Sequence, residues 1–394
     1  MKLSLCTIAK DEEAILGRCL QSVVGVVDEI IVLDTGSRDR TPQIARQFGA
    51  IVGEFTWGDD FAAARNAALE YVTGDWVLVL DADETLIRDI VPQLKAAIAA
   101  ENCLLVNLLR REVGAAQSPY SLVSRLFRRH RDIFFTRPYH ASIDDCAQTL
   151  LHREPHWQVR QLDGVAINHD GYQPGSIAAK GKSDRARRAM EGYLAKHPDD
   201  AYGCSKLGAL YVWEGNLSKG IEYLERGLAT ATESPVLYEL HYHLGIARTR
   251  LQQGDRAKQH YQAAIAIDIA PPLKIGAYNN LGNLLEAQGK PIEAAQVYRT
   301  VVQIDPTLAI GHYNLGLALK ATGRLREAIE AYQQAIHFDP SYAQAYQNLG
   351  VVLLKIGNPI ASRDAFQKAI ALYEKQGSPV AEQLRRGVRE LGLG

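Results

Sequence analysis

The chain has 394 residues, more than one ordinary hydrophobic core can organise, so two or more domains are expected. Lys and Arg number 44 and Asp and Glu 45, a formal net charge of −1. That balance argues against a nucleic-acid binder relying on bulk positive charge and offers no broad patch for an anionic membrane.

The five cysteines, Cys6, Cys19, Cys103, Cys146 and Cys204, are scattered with no CxxC pair. They read as small apolar residues in a reducing compartment rather than as a zinc site. The first apolar segment, LSLCTI, runs at once into KDEE, too short and too charged for a secretory signal. No run approaches the ~20 apolar residues of a membrane span. A cytoplasmic protein is expected, with peripheral membrane association left open.

Lys2–Ile8 is the first predicted strand, and Asp11 is expected to cap a helix whose Ile15, Leu16, Cys19, Leu20 and Val23 share one face. Glu29–Leu33 is the second strand, followed by the turn residues TGSRD. Thr41 and Pro42 open a helix as N-cap and N1, and Gly49 closes it. A short strand near 50–52, an alanine-rich helix over 61–72 and a fourth strand at WVLVL, Trp76–Leu80, complete the pattern. Strand–helix alternation with nearly continuous apolar strands predicts a mostly parallel sheet covered on both faces.

Such sheets bind ligands beyond the carboxyl ends of their strands. Lys10–Glu12, Asp34 and the cluster Asp81, Asp83 and Glu84 all fall at that edge. Charged groups are costly to desolvate, so acids crowded after a buried strand call for a partner. A D-x-D at a strand–loop junction brings hard oxygen donors to one point, suited to a divalent cation that grips a diphosphate. Taken alone, aspartates after strands are more often turn formers or helix caps.

From Tyr202 onward the chain repeats. Leu-Gly pairs stand at 207/208, 244/245, 281/282, 315/316 and 349/350, the glycines spaced 37, 37, 34 and 34 apart. Twelve residues after each of the last three glycines comes a small residue (Ala294, Ala328, Ser362), and an aromatic four later (Tyr298, Tyr332, Phe366). This resembles the tetratricopeptide repeat (TPR), a helix–turn–helix unit that stacks into a solenoid. The first two units carry three extra residues each, for which longer loops are expected. A basic helical stretch, Ser176–Lys196, precedes the repeats, and SPVAEQLRRGVREL resembles a polar capping helix.

Four segments of the first half, LCTIAKDEEAILGRCLQSV, VDEIIVLDTGSRDRT, WGDDFAAARNAAL and GDWVLVLDADE, together resemble the family 2 glycosyltransferases with a GT-A fold. The similarity is dense over 1–90 and looser over 120–172. The resulting expectation is α/β plus all-α. A Rossmann-like GT-A nucleotide-sugar domain spans 1–172, a connecting helix 173–200, about five TPR units 201–376, and a capping helix 377–394.

The resemblance implies inverting transfer of a sugar from a nucleoside-diphosphate sugar. It assigns Asp83 to Mg2+ or Mn2+ and Asp81 to the ribose or a metal-bound water. Asp34 would hydrogen-bond the base or ribose, though an Asx-turn explains it equally. Thr7 and Glu12 would line the nucleotide pocket, Asp39 would cap the following helix, and Arg65 would be the cation near the nucleotide instead of an ordinary solvated residue.

RLFRRHRDIFFTRPYHASI resembles a family segment in which a His precedes an acid; here His140 is followed by Ala141. An inverting displacement needs a general base for the acceptor's proton. Asp144, Asp145 and Glu84 are the candidates, Asp144 being preferred. His169, in INHDGY, would complete the metal shell or serve as a buried structural histidine.

Asn280, Asn314 and Asn348 precede three of the Leu-Gly pairs. They could clasp the backbone of a protein or peptide acceptor along the inner groove, or be structural, with a glycan acceptor equally open. Two functions follow: a glycosyltransferase whose repeats recruit the acceptor, or an inactive sugar-nucleotide domain serving as a TPR interaction scaffold. A nucleotidyltransferase is disfavoured, because no glycine-rich basic loop follows the first strand.

Overall fold

A computed structural model describes residues 1–115, 117–171 and 180–393. The chain divides into two compact units, Met1–Ala231 and Thr232–Gly394. Tyr172 and positions 176–179 of the expected basic helix lie outside the described residues.

The first unit contains β1 (Leu3–Ala9), α1 (Leu16–Val23), β2 (Glu29–Asp34), α2 (Thr41–Gln47), β3 (Ile51–Glu54), α3 (Phe61–Leu69), β4 (Trp76–Val79) and β5 (Glu84–Leu86). It continues with α4 (Val91–Ala99), β6 (Cys103–Glu112), β7 (Tyr120–Arg128), α5 (Asp144–Arg153), β8 (Gln158–His169), α6 (Lys180–Lys196), α7 (Ala201–Trp213) and α8 (Leu217–Thr230).

The strands form one sheet in the order β3-β2-β1-β4-β7-β6-β8-β5. β3, β2, β1 and β4 are parallel, as their buried apolar sequences require. β7 enters antiparallel to β4 and β6, and β5 pairs antiparallel with β8. The sheet is therefore mixed: parallel over the first four strands, with a distal half that sequence patterning did not resolve.

Both faces are covered. Leu3, Leu5, Leu16, Leu20, Val23, Val32 and Leu78 form one core with α1, and Cys6, Ile31, Leu33, Val77, Val79 and Phe127 form the other with residues of α3 and α5. Each such side chain contributes about 1.5–3 kcal/mol on burial. In α1 the buried set is Leu16, Cys19, Leu20 and Val23, the spacing of one helical face. All five cysteines are buried free thiols.

The second unit is helical: α9 (Ser234–Arg250), α10 (Gly254–Ala266), α11 (Ile275–Ala287), α12 (Pro291–Ile304), α13 (Ala309–Ala321), α14 (Leu325–Phe338), α15 (Ala343–Lys355), α16 (Pro359–Lys375) and α17 (Val380–Glu390). The recurring glycine–aromatic spacing in the repeat corresponds to one contact. A Cβ on Gly282 would lie 2.4 Å from the Tyr298 ring, one on Gly316 2.6 Å from Tyr332, and one on Gly350 2.8 Å from Phe366. Only glycine lets the two helices of a pair approach this closely.

The same contact recurs at Gly245 and Tyr261, at 2.4 Å, with Ala257 buried between them in sequence. The second repeat therefore conforms more closely than its length implies. Its extra residues form a 3-10 turn, Pro271–Lys274, ahead of α11. Those before Gly245 do not lengthen a loop: α9 has 17 residues where α11, α13 and α15 have 13. Among the described residues no helix is long and apolar enough to cross a membrane.

Candidate active site

The loops after β1 and β2 are laced together by side chain to backbone hydrogen bonds. Asp11 N donates to Ser37 Oγ at 2.9 Å and Arg38 N to Asp11 Oδ1 at 2.7 Å. Glu12 N donates to Thr41 Oγ1 at 2.8 Å, and Glu13 N to Asp39 Oδ2 at 3.0 Å. Asp11 consequently does not cap α1. Its carboxylate is taken by the neighbouring loop, its φ is 56°, and α1 starts only at Leu16. Arg40, not Thr41, is the N-cap of α2; Asp39 Oδ1 accepts from the Thr41 amide and hydroxyl, which fills the capping role expected of Asp39.

Asp34 ends β2, and its carboxylate accepts from Gly36 N and Ser37 N at 3.3 and 3.2 Å, an Asx-turn that holds the loop. Thr7 is fully buried within β1 on the side of Leu5 and Ala9, its hydroxyl without a hydrogen-bond partner. It faces the core and not the open strand end. Glu12 stands half-buried in the loop beside Thr41.

Asp81, just past β4, lies between two arginines. Arg65 Nη2 on α3 is 2.6 Å from Oδ1, and Arg125 Nη2 on β7 is 2.9 Å from Oδ2. Burial opposes ionisation, but Arg125 and Arg65 hold the Asp81 carboxyl far below the usual carboxylate range. Arg65 is buried against the Phe135 ring at 5.4 Å. Its Nη1 and Arg125 Nη1 are both buried without a hydrogen-bond partner. A buried donor left unsatisfied costs about 1–3 kcal/mol, so two at one place suit an anionic ligand.

Glu84 is fully buried. Its Oε2 accepts from Asp81 N at 2.8 Å and its Oε1 from Arg110 Nη1 at 2.6 Å. With both oxygens engaged away from solvent, Glu84 anchors the Asp81 turn and is out of reach of an acceptor hydroxyl.

Asp83 and His169 meet at the sheet edge, Oδ2 to Nε2 at 3.3 Å. Register explains the meeting. His169, the last residue of β8, is the partner of Glu84 in β5 and of Glu112 in β6. Glu112 Oε2 contacts His169 Nδ1 at 2.5 Å, and Glu112 is itself paired with Arg110 at 2.8 Å. Burial disfavours the imidazolium, yet hydrogen bonds to Asp83 and Glu112 raise His169 to about 10.

A carboxylate behind one imidazole nitrogen, with the other nitrogen aimed at a second carboxylate, is the arrangement that orients a metal-ligating histidine. Gly171 borders the pair: a Cβ there would lie 2.6 Å from His169 Nε2 and 3.5 Å from Asp83 Oδ2. Among the described residues no cluster of three or more His, Cys, Asp or Glu is arranged to hold a metal. Two protein donors fit Mg2+ or Mn2+ only where substrate phosphates and water complete the shell, which is the usual habit of Mg2+.

Asp144 opens α5, its Oδ1 and Oδ2 each 2.5 Å from the hydroxyls of Ser124 and Ser142. Asp145 is bound to Arg137 at 2.8 Å. His140 is exposed, with φ of 53°, its ring edge-on to Tyr139.

In the repeats, Asn314 is buried, and Asn348 is committed. The Asn348 oxygen accepts from Lys320 Nζ at 2.6 Å, and its amide donates to Tyr313 and to the Gln344 carbonyl. Asn280 is half-buried. The three side chains thus do not present a uniform row of open amides: Asn314 is buried with its amide nitrogen unpaired, and Asn348 is bonded to its neighbours.

Residues 4–160 match the profile of Glycosyl transferase family 2. Residues 282–323 and 318–357 match a TPR repeat profile, and 343–375 a tetratricopeptide repeat profile. A TPR repeat-containing protein of Synechococcus elongatus is 44% identical over 306 residues, covering 77% of this chain and 76% of that protein. The chain belongs to the TPR proteins that carry a family 2 glycosyl transferase domain.

It is also similar to the SPbeta prophage-derived glycosyltransferase SunS of Bacillus subtilis, at 28% identity over 228 residues, 56% of this chain and 52% of SunS. An uncharacterized glycosyltransferase of Rickettsia felis is 36% identical over 101 residues, 26% of this chain and 35% of that protein. Within the family 2 domain, sequence reasoning missed Arg110, Glu112 and Arg125. A signal existed: Arg110 and Glu112 close a strand of apolar residues, as Asp81 does.

Proposed function

We propose that the chain is a metal-dependent, inverting glycosyltransferase that moves a sugar from a nucleoside-diphosphate sugar to an acceptor recruited by its repeats. Residues 1–172 would perform the transfer, 173–200 connect, 201–376 recruit a protein, peptide or glycan, and 377–394 cap the solenoid. The observation that carries this reading is the Asp83–His169 pair backed by Glu112, beside the two arginines that clamp Asp81.

Asp83 and His169 would hold Mg2+ or Mn2+, which supplies charge neutralisation for the departing diphosphate. The spare nitrogens of Arg65 and Arg125 would bind anionic oxygens of the donor. Asp34 and Glu12 would contact the nucleoside, and Asp81 would orient the ribose. The acceptor oxygen bonds to the anomeric carbon as the bond to the phosphate oxygen breaks, and Asp144 takes the acceptor's proton. Support for Asp144 is its half-buried carboxylate facing two hydroxyls, whereas Glu84 is sealed. His140 would sit on the acceptor side. The buried free thiols support a cytoplasmic location.

The scaffold reading is favoured by two observations: Ala141 stands where the resembled segment has an acid, and the Synechococcus relative is named only for its repeats. Incubating the chain with UDP-, GDP- and dTDP-sugars plus Mn2+ and following nucleotide release separates the two. Release by the parent chain and none by Asp83→Ala supports transfer. Equal release by both contradicts it, and donor binding without release or transfer favours the scaffold.

A further inference from the structure

We propose that Arg137 is a positioning residue of the transfer reaction: it ties the segment carrying His140 and leading into Asp144 to the start of α7. The catalytic consequence rests on the transferase reading above; the tether itself rests on geometry alone.

The segment is closed by paired backbone hydrogen bonds between Thr136 and Ser142, at 2.8 and 3.2 Å. Within it Arg137 has φ of 72° and His140 of 53°, left-handed conformations that side-chain-bearing residues rarely adopt. Two such residues in one short turn persist only where surrounding contacts over-determine them. Those contacts come from both sides. Phe61 N, at the start of α3, donates to the Pro138 carbonyl at 2.9 Å, and Tyr139 meets the Phe61 ring edge-on at 5.4 Å. On its other side Tyr139 packs against Ala186, Met190 and Leu194 of α6 and Cys204 and Leu207 of α7.

The Arg137 guanidinium is almost wholly buried and serves two carboxylates at once. Nε and Nη2 donate to Asp200 at 2.8 and 3.2 Å, and Nη1 and Nη2 reach Asp145 at 2.8 and 3.0 Å. Its Cζ lies 4.7 Å from the Tyr202 ring centroid. Asp200 in turn accepts from Tyr193 Oη at 2.8 Å and caps α7 through Gly203 N at 2.9 Å.

Asp145 neighbours Asp144, and Asp200 lies beyond residues 4–160, the stretch matched as glycosyl transferase. The acceptor-side segment is therefore held by a residue outside that stretch. A planar fork with five donors can meet two carboxylates with two bonds each, as here; an ammonium with three donors cannot.

The test uses the full chain. Asp200→Asn keeps one oxygen to cap α7 through Gly203 N, and loses the charge and the second oxygen, which meets Arg137 Nε and Tyr193 Oη; Arg137→Lys keeps charge without the fork. Both variants should lose tenfold or more in kcat for nucleotide release from the active donor, with donor KM within twofold of the parent. Hydrogen exchange over 136–145 should accelerate at least tenfold, with β1, β4 and α7 unchanged. Unaltered kcat, unaltered exchange over 136–145, or equal acceleration across α7 would each overturn the proposal. A parent chain that turns over no donor removes the transferase reading, and exchange over 136–145 then decides the tether by itself.

Discussion

His169 Nε2 stands 3.3 Å from Asp83 Oδ2, although the two residues lie at opposite ends of the distal half of the sheet in sequence. Their meeting is produced by strand register: β5 runs antiparallel to β8 and sets Glu84 opposite His169, while β6 runs parallel to β8 and sets Glu112 opposite the same histidine. One imidazole is thereby held between two carboxylates, Asp83 and Glu112.

Glu112 should govern how well the pair holds a cation. Glu112→Gln keeps the shape but weakens the acceptor behind His169 Nδ1. Outer-shell substitutions of this kind typically cost ~10–100-fold in metal affinity. Calorimetric titration of the full chain with MnCl2 is expected to show that loss, with the thermal midpoint nearly unchanged. Equal affinity in the two proteins would mean that Glu112 does not orient a ligand.

Arg65 should matter for stability before it matters for chemistry. Arg65→Met removes the 2.6 Å contact to Asp81 and leaves a mostly buried carboxylate with one cationic partner. Because Arg125 remains 2.9 Å from Asp81, the cost stays below the ~3–5 kcal/mol of leaving a buried charge uncompensated. Urea unfolding of the single variants and of Arg65→Met with Asp81→Asn should give a double variant less destabilised than the sum. Strict additivity would argue that the two side chains are uncoupled.

The glycine–aromatic contact of the repeats yields a steric prediction. The Tyr298 ring is fully buried, and a methyl on Gly282 would lie 2.4 Å from it. Overpacking of this kind costs about 1–3 kcal/mol. Gly282→Ala should lower the urea midpoint without changing helix content by circular dichroism. A midpoint equal to the parent's would show that the helix pair can open to admit the methyl.

Glu29 predicts an acid limb in the stability curve. Burial alone would raise its carboxyl, but hydrogen bonds from Lys2, Ser4 and Thr73 pull it from 4.5 to about 2. A depressed carboxylate stabilises the folded state fully above its ordinary value and loses that contribution as pH falls through the lower one. Thermal midpoints of the parent should therefore decline between pH 4.5 and about 2 more steeply than those of Glu29→Gln. Parallel curves for the two proteins would remove Glu29 from the explanation.

Much of the first unit was legible because neighbouring residues carried the signal. The apolar runs of β1, β2 and β4, the one-sided α1 and the turn after Asp34 were all read within a few positions of their true bounds. The Asp11 cap was misplaced because its carboxylate is spent on Arg38 of another loop, a contact no local pattern records. Glu84 looked available as a base for a similar reason: only the arrival of Arg110 and the Asp81 amide seals it. In the solenoid the small-residue and aromatic spacing was visible in three repeats, and the unequal glycine interval hid the same spacing at Ala257 and Tyr261.

What the residues determined unaided were the strand ends loaded with acids, the period of the repeats and the glycines that let helices touch, since these follow from side-chain alternation and from contacts repeated at constant spacing. Which charges meet was decided only on folding. Arg65, Arg125, Glu112 and His169 come from four separate elements, and their assembly around Asp81 and Asp83 depends on strand order and register. Those are set by burying both faces of the whole sheet, a long-range balance that no stretch of sequence contains.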